Sequence, residues 1–158
     1  MTSQKNSPSQ NEKVIAGMMQ VLAESYVLYL QTQQFHWNVV GVHFGSLHAL
    51  FQEQYEELAE AIDGLAEHIR ALGVVAPGSF SEFGKLSSLE SVASDDAPTQ
   101  DLEMVALLFE YHSQLLETLQ QVMVTAQEVG DEISVDVLVE RQRVHSKARW
   151  MLGAVLGQ

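Results

Sequence analysis

Apolar residues recur along this chain at alternating steps of three and four, the period of an α-helix rather than of a strand. Leu22, Tyr26, Tyr29, Gln33 and His36 follow one another at steps of 4, 3, 4 and 3. They predict a first amphipathic helix running from about residue 11 to Asn38, with His36 on its inward face. The stretch VVGVHF breaks it. A second helix over about 43–72 carries the stripe Leu47, Phe51, Leu58, Ile62, Leu65, Ile69 and Leu72, and Gly73 stops it. A glycine-, proline- and serine-rich segment follows, a long connection with one short helix expected around Leu86 to Val92. Asp95 to Thr99 supplies caps and a proline start for a third helix over about 98–129, with Leu102, Val105, Phe109, His112, Leu115, Leu119 and Val122 on one face. Gly130 ends it, and a fourth helix spans Ile133 to Leu156.

Four long helices, two short turns and one long link after the second describe an all-α, up-down-down-up four-helix bundle of ferritin-like type, crossed by the short helix of the link. Residues 1–10 read as a disordered tail and 11–158 as one domain. Length supports this, because 158 residues can bury a core without disulfides or a structural metal.

Composition narrows the chemistry. The chain has no cysteine, so thiolate metal sites and thiol nucleophiles are excluded and any metal is held by nitrogen and oxygen. The polar start MTSQKNSPSQNEK is no secretory signal, and no apolar run approaches the roughly 18 residues of a membrane span, so a cytoplasmic protein is expected. A net charge of −13 repels nucleic acid and anionic membranes and attracts cations.

Three of the six histidines, His36, His43 and His48, fall within thirteen positions. On the second helix His48, Gln52, Asp63 and Glu67 lie at cumulative offsets of 0, 4, 15 and 19. At about 100° per residue these point to about 0°, 40°, 60° and 100°, one side of the helix beside its apolar stripe. They share a face but not a metal within one chain, since 15 residues separate His48 from Asp63 by roughly 22 Å. Two copies packing their second helices antiparallel about a two-fold axis would bring the carboxylates of one to His36 and His48 of the other. Two imidazoles and two carboxylates suit ferrous iron, zinc or manganese better than calcium or magnesium. The alternative, an iron pair inside one bundle, needs inward Glu-x-x-His pairs, and no histidine here has glutamate three residues before it.

The stretch 35–73 resembles the Dps family of mini-ferritins, through His36-Trp37-Asn38, Gly41, Phe44, His48, Asp63, Ala66-Glu67 and Leu72-Gly73. Gly130-Asp131 and Trp150-Met151-Leu152 also fit, and the likeness spans about 12–156. The resemblance implies a hollow homododecamer built from two-fold dimers. Its inter-subunit ferroxidase sites would oxidise ferrous iron, preferentially with hydrogen peroxide, and store ferric oxyhydroxide inside against oxidative stress. It implies metal-ligand roles for His36, His48, Asp63 and Glu67, with Glu67 bridging two irons. Trp37 matches a tryptophan beside the site that can donate an electron, and Asp131 and Asp136 fall where the family lines its pores with acid.

Two departures bear on function. The family has an aspartate where this chain has Gln52, and an amide oxygen is a weaker donor than a carboxylate, so one iron position is expected to lose affinity, or another metal such as zinc to be favoured at the strong position of the same site. The family's lysine-rich tail is missing, so strong DNA binding is not expected. The readings that compete with a ferroxidase are a cage sequestering iron or zinc with little catalysis, a DNA-protecting architectural protein, and a helical interaction module. His43 is expected to cap or pack the start of the second helix. His68, His112 and His145 are expected in exposed or core roles. Asp131 could merely favour the N-terminus of the fourth helix, and Gly64, costly in a helix, could serve close approach at the two-fold.

Overall fold

The computed structural model describes residues 9–158. Four long helices, α1 (Gln10–Asn38), α2 (Phe44–Ala71), α4 (Asp101–Glu128) and α5 (Glu132–Val155), form the bundle, and a short α3 (Phe80–Leu86) lies in the link between α2 and α4. The expected boundaries hold to within about three residues for the long helices. Residues 1–8 of the expected tail lie outside the described residues, while Ser9 already caps α1 in a reciprocal pairing with Glu12. Gly73 and Gly130 end α2 and α4 with φ of 92° and 71°, a conformation that disfavours other residues.

Contacts between distant residues fix the topology. Gln10 at the start of α1 donates to Glu128 at the end of α4, and His43 before α2 meets Asp101 at the start of α4. His68 near the end of α2 meets Ser134 at the start of α5. The order is therefore up-down-down-up, as the sequence predicts. By length and composition α1 could cross a bilayer, contrary to the sequence expectation that no run approaches this. Yet 56% of its most apolar 18-residue window is buried inside the fold, as in a core helix.

The core-facing side of α1 matches the expected stripe only at Leu22 and His36, both buried. Val14, Met18, Val21, Leu28 and Phe35 are buried together with Ser25 and Thr32, whereas Tyr26, Tyr29 and Gln33 are only half-buried. The reason is that α1 has neighbours on several sides, so two adjacent stripes are apolar and the tyrosine stripe is the one nearer α2 and α3. Tyr26 stacks on Phe83 of α3 at 4.7 Å, and Tyr29 meets Tyr55 of α2 edge-on. Ser25 and Thr32 return their hydroxyls to carbonyls one turn back, which lets them sit in the core.

The short helix of the link is also displaced, to 80–86 rather than 86–92. Ser79 caps it by accepting from Glu82 N, and Glu82 in turn accepts from the Ser79 hydroxyl and Gly78 N. Beyond it, the backbone of 88–92 bonds to side chains of the bundle instead of to itself. Buried Glu24 accepts from Ser88 N and its hydroxyl, Gln31 accepts from Val92 N, Gln34 donates to Val92 O, and the Tyr111 hydroxyl donates to Glu90 O. With its polar groups satisfied this way, the segment gains little from coiling.

Where α1 crosses α4 the helices approach closely. A Cβ on Gly17 would lie 2.6 and 2.8 Å from the two Val122 methyls. Gly17→Ala is expected to destabilise the fold by about 1–3 kcal/mol despite alanine's better helix propensity. Val122→Ala in the same chain should recover part of this, and denaturant midpoints of the single and double variants test the coupling. Gly64, by contrast, has open space around its missing Cβ, so nothing within the chain requires glycine there.

Candidate metal centre

The turn between α1 and α2 brings the ends of both helices together. Val39 is buried at the turn and Phe35 packs against Phe51, which sets His36 of α1 beside His48 of α2. Their rings stack with centroids 3.8 Å apart and 16° between planes. Phe44 stacks on the far side of His48, and Tyr55 closes on His36 edge-on. His36 is buried and His48 half-buried.

Each ring is held by the other residue's backbone. His36 Nδ1 lies 2.7 Å from His48 O, and His48 Nδ1 lies 2.8 Å from His36 O. A carbonyl only accepts, so each Nδ1 carries the proton and donates. In the neutral imidazoles both Nε2 atoms are then left as bare lone pairs. A metal-binding histidine is commonly oriented this way, with its other ring nitrogen donating to a backbone carbonyl or carboxylate.

Asp63 and Glu67 lie exposed on α2, about four and five turns further along the helix. Neither has an ion-pair partner among the described residues. Within a single chain, and among the described residues, no three histidine, aspartate or glutamate side chains gather closely enough to hold a metal. The fold thus joins His36 to His48 but leaves Asp63 and Glu67 apart from them. Exposed Gln52, one turn after His48, donates its amide to Glu56 at 2.7 Å. Its amide oxygen remains free to face a ligand. Phe44, stacked on His48, is 46% exposed, and Trp37 and Val42 near the same turn are also exposed; Trp37 borders a cavity shared with Gln34, Ser91 and Val92.

The remaining histidines divide by what they touch. His43 stands at the N-cap position of α2 but makes no capping hydrogen bond. Its ring instead meets Asp101 at 2.8 Å, tying the α1–α2 turn to the start of α4 and holding the Asp101 carboxyl below its usual range. His68 Nε2 lies 2.8 Å from the Ser134 hydroxyl, which donates onward to Asp131 at 2.6 Å. The serine proton therefore points to the aspartate and not to the histidine, the reverse of what an activated nucleophile needs. Asp131 also accepts from Ser134 N and caps α5, the plainer of its two sequence readings. Asp136 is exposed.

A polar cluster inside the bundle escaped the sequence analysis. Arg141 of α5 makes a two-point ion pair with Glu57 of α2, and donates from its second terminal nitrogen to His145 Nε2 at 3.1 Å. His145 Nδ1 lies 3.0 Å from His112 Nδ1 of α4. Since His145 Nε2 accepts from the guanidinium, its proton sits on Nδ1 and is donated to His112, whose own proton must then be on Nε2. Burial, followed by the charge of Arg141, pushes the His112 pKa down to about 3, and burial likewise holds His145 well below its ordinary value. Both rings are neutral near pH 7. The signal was present in the stripe Leu138, Arg141, His145, Ala148 and Leu152, which places two polar residues at core positions.

Comparison with known proteins places this geometry in a family. Residues 15–158 match the ferritin-like domain. The chain is 34% identical over 148 residues to DNA protection during starvation protein 2 of Bacillus anthracis, covering 94% of this chain and 99% of that one. It is 39% identical over 144 residues to a low temperature-induced protein of Nostoc sp., covering 90% and 79%. Among solved structures, the Dps protein of Vibrio cholerae O1, described as one of the ferritin-like diiron-carboxylate proteins, superposes with a TM-score of 0.87 at 30% identity, covering 99% and 98%. This chain belongs to the Dps family of mini-ferritins.

Proposed function

We propose that this protein is a cytoplasmic ferroxidase and iron store whose sites form between subunits. Two copies with their α2 helices antiparallel about a two-fold axis bring Asp63 and Glu67 of one chain to His36 and His48 of the other, two sites per dimer. The observation that carries this reading is the His36–His48 pair, whose Nε2 atoms have no partner within the chain, with half-exposed Phe44 stacked on His48. In the assembly this face is covered by the partner chain, with six such dimers closing a dodecameric shell.

Ferrous iron enters as substrate. The imidazoles bind it without charge, and Asp63 and Glu67 favour the ferric product by charge, Glu67 bridging the pair. Two ferrous ions each give one electron to hydrogen peroxide, whose O–O bond breaks to leave two hydroxide ions, so no hydroxyl radical is released. Trp37, the neighbour of His36 in sequence, supplies an electron when only one iron is bound. Exposed Asp136, with Asp131 contributing charge alongside its capping of α5, lines the cation entry, and ferric oxyhydroxide is held inside. The net charge of −13 argues against DNA as a partner.

Stopped-flow absorbance of ferrous iron at about two ions per site, mixed anaerobically and then with peroxide or air, tests the reading. Fast peroxide-preferring oxidation with soluble iron is expected. Oxidation no faster than in buffer overturns it and leaves a sequestering cage, with zinc as the next metal to titrate. Gln52→Asp restores a charged donor one turn from His48 and is expected to tighten the weaker iron position by about tenfold, read by anaerobic ferrous titration.

A further inference from the structure

The bundle interior holds a second set of metal-type donors, and it is already occupied by a cation. Arg141 is 6% exposed and sits between Glu57 and His145. One terminal nitrogen of its guanidinium lies 3.0 Å from Glu57 Oε2 and 3.1 Å from His145 Nε2, while the other pairs with Glu57 Oε1. Its Nε is buried with no hydrogen-bond partner among the described residues. The guanidinium is therefore held by one carboxylate and one imidazole lone pair, the donor types that take divalent transition metals.

His145 is also in the tautomer a metal would need. Its Nε2 lone pair faces the guanidinium, and its Nδ1–H is anchored on His112, as the outer nitrogen of a metal-bound imidazole commonly is. A metal at the position of the shared terminal nitrogen would need each donor to close by about 1 Å to reach a bond of about 2.1 Å. Glu57 is half-buried and Gln54 lines the cavity beside it, so the carboxylate arm has room to move.

We propose that Arg141 is the resident cation of a divalent-metal donor set made by Glu57 and His145 in the bundle interior, and that its guanidinium keeps this set closed to ferrous iron and related metals. Metal is thereby confined to sites between subunits, and no ferric product can form within the packed core. Glu57, Arg141 and His145 are distinct from His36, His48, Asp63 and Glu67, and only the confinement of metal to sites between subunits rests on the proposed function.

The test uses the full-length assembled protein carrying His48→Ala and Glu67→Ala, with Co2+ as the probe, followed by visible absorption and equilibrium dialysis. With Arg141 intact, no interior Co2+ is expected. Arg141→Ala should gain about one Co2+ per chain, coordinated by nitrogen and oxygen. Adding Glu57→Gln or His145→Leu should abolish that gain, and Arg141→Lys, which keeps the charge, should stay closed. If Arg141→Ala unfolds without metal, Co2+ is expected to restore its helical circular dichroism. A folded Arg141→Ala protein that gains no Co2+, a gain that survives Glu57→Gln, equal binding by Arg141→Lys, or an unfolded variant that Co2+ does not restore would each overturn the proposal. A misassigned inter-subunit site shows differently, as residual Co2+ common to all of these proteins.

Discussion

Two inactive variants are expected to regain activity when their subunits are mixed. His48→Ala and Glu67→Ala each remove one ligand from every inter-subunit site, and each assembly should lose ferroxidase activity by tenfold or more, since even outer-sphere changes at metal sites cost about 10–100-fold. In a dimer of one His48→Ala chain and one Glu67→Ala chain, the two lesions fall in the same site. The other site takes its histidines from the Glu67→Ala chain and its carboxylates from the His48→Ala chain, and is whole. Random pairing of equal amounts makes about half the dimers mixed, so about a quarter of all sites are intact. Dissociating the two variants together, reassembling them and measuring peroxide-driven iron oxidation should therefore give about a quarter of the wild-type rate. A mixture no more active than its components would rule out a site shared between chains. The prediction follows from the roughly 22 Å along α2 between His48 and Asp63, which a single chain cannot close.

Acid is expected to weaken the fold well above the carboxylate range. His112 and His145 are buried and neutral, with the His112 pKa lowered to about 3 and that of His145 lowered in the same direction. In the unfolded chain a histidine titrates near 6.5. Below that pH the unfolded state binds protons that the folded state refuses, so stability is full above about 6.5 and falls as pH drops toward 3. The slope is about 1.4 kcal/mol per pH unit for His112, or about 3 kcal/mol lost by pH 4.5, with a further loss from His145 in the same sense. The groups facing the pair act consistently: the Arg141 guanidinium opposes protonation of both rings, and Glu57, already engaged by Arg141, cannot compensate. Urea unfolding of metal-free protein at fixed concentration between pH 7.5 and 4.5 measures this. His112→Leu should remove about 1.4 kcal/mol per pH unit of the dependence. An unchanged slope in that variant would place the acid sensitivity elsewhere.

The sequence by itself determined what depends on neighbours a few residues apart. Apolar periodicity located the long helices, Gly73 and Gly130 marked two of their ends, and the offsets of His48, Asp63 and Glu67 gave their shared face and their separation, because helix geometry converts sequence distance into angle and length. Only the tertiary structure decided what depends on partners far away in the chain. The backbone carbonyls that turn both Nε2 atoms outward come from the opposite helix, so the tautomers of His36 and His48 could not be read from their spacing. The same holds for Glu57 and Arg141, 84 residues apart, which set the opposite proton arrangement in His112. Segment 88–92 stayed uncoiled because Glu24, Gln31 and Tyr111 satisfy its backbone. On α1, two apolar stripes competed for the core, and the positions of α2, α3 and α4 selected between them, since a helix with neighbours on several sides has no single buried face for its periodicity to reveal.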